Sequence, residues 1–270
     1  MSVPSTTQRL TTRDIGRLRE RAEPIAMLTA YDCVMAALLD QSGIDMILVG
    51  DSLGNVVLGY ETTLKVTLAD MIRHAAAVTR TTERALVVCD MPFGTTTDPD
   101  TALRSAVDIL QQTGVQAVKI EGGLAMVPVI ERLTGYGIPV MAHIGLMPQA
   151  VHQLGGYYTH GKAAESAERL SREARALEQA GAFAIVLECI VPAVATAITA
   201  ELSIPTIGIG SGPNCAGQVL VINDLIGLNT RPAPSFAKPR ADVAGLVRAA
   251  VADYVAETKG QAFPSKAGAA

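Results

Sequence analysis

Residues 163–188, AAESAERLSREARALEQAGAFAIVLE, carry one complete period of the pattern that decides the fold. Ala163–Ala180 has apolar residues at helical spacing, and Ala180-Gly181 has the form of a helix stop. Phe183–Leu187 is an apolar run of strand length with no polar alternation. Such a strand is buried on both faces, as the strands of parallel sheets are. Glu188 follows at once, at the carboxyl end, where α/β proteins bind their ligands.

Outward from this segment the same arrangement recurs. Met46–Gly50 precedes Asp51, Ala85–Cys89 precedes Asp90, Ala117–Ile120 surrounds Lys119 and leads into Glu121, and Pro139–Ala142 precedes His143. Ile25–Ala30, Pro205–Ile209 and Val219–Ile222 complete a set of eight strand-like runs. Helical periodicity fills Val34–Ser42, Leu68–Thr82, Thr101–Thr113 and Ala193–Leu202, with stops at Ser42-Gly43, Thr113-Gly114 and Tyr136-Gly137. Gly122–Gly137 holds only a brief periodic piece and Gly210–Gln218 none. Eight strand–helix units fit the ~250 residues that a (β/α)8 barrel takes. The fold predicted is therefore α/β, a single TIM barrel over residues 1–264. An open doubly wound sheet competes, but it concentrates ligand contacts at one switch point, whereas the charged residues here come from many strand ends. Thr11–Glu20 predicts a helix ahead of the first strand, covering the barrel's bottom. Arg231–Pro239 predicts a Pro-rich connection, Ala241–Thr258 a final helix, and 265–270 a disordered tail.

Composition narrows the partners. The chain has 270 residues, 49% of them hydrophobic, enough for a large core. Its 22 basic and 26 acidic residues are dispersed without a basic run, which argues against nucleic acid. Cys33, Cys89, Cys189 and Cys215 lack both zinc spacing and a disulfide framework, so a reducing cytoplasm is expected. The opening MSVPSTTQRLTTRD is polar, and no run approaches the ~18 apolar residues of a membrane span. A soluble, cytoplasmic enzyme of small molecules is the expectation.

Each charged residue at a strand end has an ordinary and a functional explanation. Asp51 and Asp90 could each cap the following loop. Carboxylates from separate strand ends, joined by Glu121, are also what a hard cation such as Mg2+ accepts. Ser52, in VGDSLG, is either a turn residue beside Gly54 or a hydroxyl for an anionic substrate. Lys119 and Glu121 share one strand face, as a structural ion pair, a substrate-binding cation or a Schiff-base amine. His143 could belong to the core or to a pocket; His74, His152 and His160 are weaker candidates. Glu188 follows a wholly apolar strand, where desolvation would favour a usable base near neutral pH. Gly208, Gly210 and Gly212 in IGIGSGP do not form a dinucleotide fingerprint, and no Walker, H-E-x-x-H or G-x-S-x-G motif is present.

Taken together, MLTAYD (27–32), VGDSLGNVVLGY (49–60), DMPFG (90–94), AVKIEGG (117–123), HIGLMPQ (143–149), AGAFAIVLEC (180–189) and IPTIGIGSG (204–212) resemble the ketopantoate hydroxymethyltransferase family. The likeness runs in order from about residue 8 to Pro264, ending in AETKGQAFP. It implies a (β/α)8 barrel, Mg2+, 5,10-methylenetetrahydrofolate as one-carbon donor, a cytoplasmic homodecamer, and transfer of a hydroxymethyl group to 3-methyl-2-oxobutanoate through a Mg-stabilised enolate. It also implies Asp51, Asp90 and Glu121 as metal ligands, Asp51, Ser52, Asp90 and Lys119 as oxo-acid contacts, Glu188 as base and His143 in the same pocket.

The sequence departs from the family pattern at several places. Ala216 stands where an Asp is usual, Asn223 where a His or Tyr is usual, Thr96 for an aromatic and Asn55 for a Met. YYTHGK at 157–162 replaces Y-x-V-Q-G-R, and Pro192 comes one residue late after Glu188. None of these touches the charged set. Two rivals remain at the level of sequence. One is a Mg2+-dependent 2-oxo acid enzyme of the phosphoenolpyruvate mutase and isocitrate lyase type, weakened by the lack of a K-K-C-G-H-like loop. The other is a catalytically silent paralogue, weakened by retention of buried charges that cost stability.

Overall fold

A computed structural model describes residues 8–230 and 232–260. Eight strands, β1 (Ile25–Thr29), β2 (Met46–Val49), β3 (Leu86–Asp90), β4 (Ala117–Glu121), β5 (Val140–Gly145), β6 (Ala184–Glu188), β7 (Thr206–Ile209) and β8 (Gly217–Leu220), close into a barrel in chain order. All neighbours are parallel, and β1 pairs β8 from Ile25↔Gly217 to Leu28↔Leu220. The open-sheet alternative is thereby excluded. The tail at 265–270 lies outside the described residues.

Between the strands run α2 (Cys33–Gln41), the short α3 (Leu53–Val56), α4 (Leu68–Thr79), α5 (Pro99–Thr113), α6 (Val127–Gly135), the short α7 (Val151–Leu154), α8 (Ala164–Gln179) and α9 (Pro192–Glu201), after an initial α1 (Thr12–Glu20). Their ends are written in side chains. Thr67 and Asp70 form a reciprocal capping box at α4, and Asp98 accepts from the amides of Asp100 and Thr101 at α5, where Pro99 occupies the first turn. Gly114 then stops α5 at a φ of 74°, a left-handed conformation that side chains disfavour. α6 is longer than the brief piece expected, because Pro128 lies in its first turn, where a missing N–H costs nothing. No helix lies between β7 and β8, as expected for 210–218.

The interior follows the two-residue period of strands. Ile25 and Met27, Met46 and Leu48, Leu86 and Val88, Ala117, Met141, Ala184 and Val186, Ile207 and Val219 form one buried cluster inside the barrel. Ile15 of α1 joins it, fully buried. Burying that one side chain stabilises by roughly 1.5–3 kcal/mol, enough to pin a helix of nine residues that would be marginal alone. Continued toward the carboxyl ends, the same inward positions become Asp90 on β3, Lys119 and Glu121 on β4, His143 on β5 and Glu188 on β6. The inner face thus changes from apolar to charged along single strands.

The chain divides into two compact units at Val221/Ile222, and all eight strands belong to the first. The second contains α10 (Ile222–Ile226) and α11 (Val243–Lys259). Asn223 accepts from the Leu228 amide through its carbonyl and donates back to the Leu228 carbonyl from its side chain, closing the turn after α10. Arg240 N–H donates to Leu225 O, and Asp242 caps α11 at Gly245. No residue of α11 is buried, and Leu246, Val247, Val251 and Val255 are exposed. No helix among the described residues is long and apolar enough to cross a membrane.

Candidate active site

The five expected strand ends converge on one rim. Lys119 Nζ lies 3.1 Å from Asp90 Oδ1 and 3.8 Å from Glu121 Oε1. His143 bridges the next two strands, with Nδ1 3.5 Å from Glu121 Oε1 and Nε2 3.3 Å from Glu188 Oε2. The Asp51 amide donates to Asp90 Oδ2 at 2.9 Å. Asp51, Asp90, Lys119 and His143 are buried, while the Glu188 side chain is partly open to solvent. His143 is not at a strand end as expected: β5 continues two residues further because Gly145, at a φ of 100°, lets the chain pass the Glu188 carbonyl so closely that a Cβ there would collide with it.

Electrostatics assign the protonation states. Burial pushes the Asp51 carboxyl well up, helped by the charges of Glu121 and Asp90; burial also raises Asp90, against the pull of Lys119. Burial opposes the charge on Lys119, but Asp90, Glu121 and Asp51 outweigh it and raise its pKa. The three carboxylates favour the ammonium, which argues against the Schiff-base alternative of a depressed amine. For His143, burial and Lys119 oppose protonation, yet Glu121 and Glu188 on either side push it up to about 9. Glu121 is held below its ordinary value: burial is outweighed by the hydrogen bond and charge of His143, then by Lys119. Lys119 Nζ also lies 3.3 Å from His143 Nδ1, a hydrogen bond in which that nitrogen accepts only when it is unprotonated.

This balance bears on a metal. Fully ionised, the carboxylates of Asp51, Asp90, Glu121 and Glu188 exceed the charges of Lys119 and His143 by two. Burial is the main cause that raises the carboxyls of Asp51 and Asp90, with the neighbouring carboxylates adding to it. Asp90 Oδ1 is buried and, although close to Lys119 Nζ, makes no aligned hydrogen bond. An all-oxygen set with two surplus charges and an orphaned carboxylate oxygen fits a hard divalent cation. Among the described residues no three acid, His or Cys side chains already converge as a ligand cage. Lys119 and Gln149 stand between the carboxylates instead.

Two residues of the site, Gln149 and Tyr31, were not singled out from the sequence, and His74 was only a weaker candidate. Gln149, in the connection after β5, donates from Nε2 to Asp51 Oδ2 at 2.9 Å and to Met91 O at 3.0 Å, and from its amide to Glu121 Oε2 at 3.1 Å. Tyr31, buried past the end of β1, shares a 2.8 Å hydrogen bond with Ser52 Oγ. Burial raises its phenol, so it remains protonated and can donate. His74 Nδ1 lies 2.6 Å from Tyr31 O and holds that segment. A position one step past a strand end was a readable signal for Tyr31; Gln149 offered none. Of the departures from the family pattern, Asn55 donates to Tyr60 O and Pro192 begins α9. Ala216 contributes backbone contacts to Thr206 Oγ1 and the Ile25 amide, and nothing in the structure explains Thr96. The four cysteines are free.

The family model described as ketopantoate hydroxymethyltransferase matches residues 9–266. The 3-methyl-2-oxobutanoate hydroxymethyltransferase of Roseiflexus sp. (strain RS-1) is 50% identical over 257 residues, which cover 95% of this chain and 92% of the relative. That of Pyrobaculum calidifontis is 54% identical over 242 residues, covering 89% and 91%. Among solved structures, a phosphonopyruvate hydrolase complex with oxalate and Mg++ is similar with a TM-score of 0.63 at 13% identity, covering 95% of this chain and 92% of that one. A 2,3-dimethylmalate lyase of the PEP mutase/isocitrate lyase superfamily gives 0.60 at 18% identity, covering 95% and 90%. At such identities these structures speak for the fold alone.

Proposed function

The chain belongs to the ketopantoate hydroxymethyltransferase family, and from that premise we propose that it transfers a hydroxymethyl group from 5,10-methylenetetrahydrofolate to 3-methyl-2-oxobutanoate, giving 2-dehydropantoate, the first committed step of pantothenate synthesis. The observation that carries the reading is the charged ring of Asp51, Asp90, Lys119, Glu121, His143 and Glu188 at one end of the barrel.

Asp51, Asp90 and Glu121 would hold Mg2+, a reading supported by their oxygen donors and by the buried Asp90 Oδ1 that makes no aligned hydrogen bond. When bound, the ion would act as a Lewis acid toward the 2-oxo and carboxylate oxygens of the substrate. Glu188, partly open to solvent, takes the C3 proton of 3-methyl-2-oxobutanoate. His143 Nε2 lies 3.3 Å from that carboxylate without an aligned hydrogen bond, and its positive charge would favour the carboxylate form of Glu188. Lys119 keeps a positive charge against the developing enolate oxygen, and Ser52 donates to the substrate carboxylate while accepting from Tyr31. The enolate carbon attacks the methylene carbon of the donor; one water is consumed overall and tetrahydrofolate leaves. A cytoplasmic homodecamer is part of the same reading, and the exposed apolar residues of α11 support self-association.

The test separates the two half-reactions. In deuterated water the chain is expected to exchange the C3 proton of 3-methyl-2-oxobutanoate, and to form 2-dehydropantoate once methylenetetrahydrofolate is added, both abolished by EDTA. Glu188→Gln is expected to lose exchange even without folate. Exchange at the wild-type rate in that variant removes Glu188 as the base, and turnover undiminished by EDTA removes the metal.

A further inference from the structure

The segment that departs from the family pattern at 157–162 is built against the exit of the base's strand. His160 N–H donates to Cys189 O at 2.7 Å, Val191 N–H donates to His160 O at 2.9 Å, and His160 pairs with Ile190 as a parallel bridge. His160 therefore lies as an isolated bridge beside the chain that has just left Glu188. Cys189 itself adopts a φ of 50°, an uncommon backbone for a residue other than Gly, Asn or Asp.

The side chain of His160 has no polar task in this position. It is 6% exposed, its Nε2 makes no hydrogen bond, and its ring lies stacked on Tyr158 with centroids 4.5 Å apart and planes at 24°. Burial, then the Arg169 charge, lowers its pKa, so the ring is neutral at pH 7. A buried imidazole without a partner costs stability. What it provides is a support: Tyr158 rests on the ring of a residue whose backbone is held by two hydrogen bonds. Tyr158 is nonetheless 49% exposed and Tyr157 57%. The charges of Glu188, Asp51 and Glu121 act on the Tyr157 phenol, after burial, which brings this aromatic pair within the field of the charged ring.

We propose that Tyr158, seated on His160, is the shelf on which the planar ring system of the one-carbon donor stacks, with Tyr157 beside it. The proposal rests on the reading that the donor is a reduced folate. A preorganised aromatic face suits a flat heteroaromatic ligand because the ring loses little freedom on binding and the ligand's π-face is recognised without a hydrogen-bond code. The shelf also lies in the right order along the chain: the donor must reach the substrate from outside the barrel, and this segment borders the outer end of β6.

Tetrahydrofolate, the product form of the donor, is the probe. Its binding to the wild-type chain and to Tyr158→Ala and Tyr158→Phe is measured by calorimetry, alongside C3 proton exchange of 3-methyl-2-oxobutanoate without folate. Tyr158→Ala is expected to weaken tetrahydrofolate about tenfold or more, the range for losing one stacked heteroaromatic contact. Tyr158→Phe, which keeps the ring, is expected to bind within about twofold of wild type, and His160→Ala to fall between the two. The loss of affinity in Tyr158→Ala should exceed any loss of exchange at least tenfold. Undiminished binding in Tyr158→Ala, or equal losses in both measurements, overturns the shelf alone. A wild-type chain that exchanges the proton but does not bind tetrahydrofolate overturns the folate reading and the shelf with it.

Discussion

At the residue scale, Lys119 shows how far a sequence can be read and where it stops. A lysine inside an otherwise apolar strand declares itself, and its period-two neighbour Glu121 was legible from spacing alone. Whether the amine was a nucleophile or an ammonium was not legible, because that depends on Asp90 and Asp51, contributed by other strands. With three carboxylates raising its pKa, borohydride in the presence of 3-methyl-2-oxobutanoate is expected to trap no adduct at Lys119, as mass spectrometry of the digested protein would reveal. Lys119→Met is expected to lower the rate of proton exchange by ~10²–10³, the cost typical of removing one preorganised group that faces a developing oxyanion. A stable adduct, or exchange close to wild type, would remove the electrostatic role.

Among the elements, the connection after β5 matters most for the site. Gln149 ties the ends of three strands together, touching Asp51 after β2, Met91 after β3 and Glu121 on β4. No periodicity marks a loop residue whose partners are this far away in sequence, so this role was not readable. Gln149→Ala is expected to weaken Mn2+ binding, followed by electron paramagnetic resonance, by ~10- to 100-fold, as the loss of an outer-shell partner does. Unchanged affinity in a folded variant would make Gln149 a packing residue. The helix ends were far more legible, since a capping box is local in sequence. At α4, Asp70 is held below its ordinary carboxyl value by Thr67, so its contribution is present above the unfolded value near 3.8 and is lost as pH falls through the folded one. Asp70→Ala is expected to cost roughly 0.5–1 kcal/mol near pH 7, with the difference from wild type closing below about pH 4 in denaturant titrations. A difference that does not shrink as pH falls below 3.8 would assign the loss to packing instead.

Over the whole molecule, the eight apolar runs sufficed for the barrel because strands buried on both faces leave a plain signal. The weakest of them was misplaced by two residues: Val219–Ile222 was expected, but β8 spans Gly217–Leu220, since Gly217 and Gln218 contribute backbone pairing without apolar side chains. That same strand gives the cylinder a seam. Two residue pairs join β7 to β8 and no helix braces them, whereas five pairs join β5 to β6 and four join β8 to β1. Native-state hydrogen exchange is expected to show the β7–β8 amides opening at lower free energy than those of β5 and β6; uniform protection around the ring would contradict this. The charged residues are spread over β2 to β6, and none lies on β7 or β8. A cylinder that parts between β7 and β8 can breathe without moving the charges that must stay fixed relative to one another, so looseness and chemical accuracy occupy different arcs of one closed sheet.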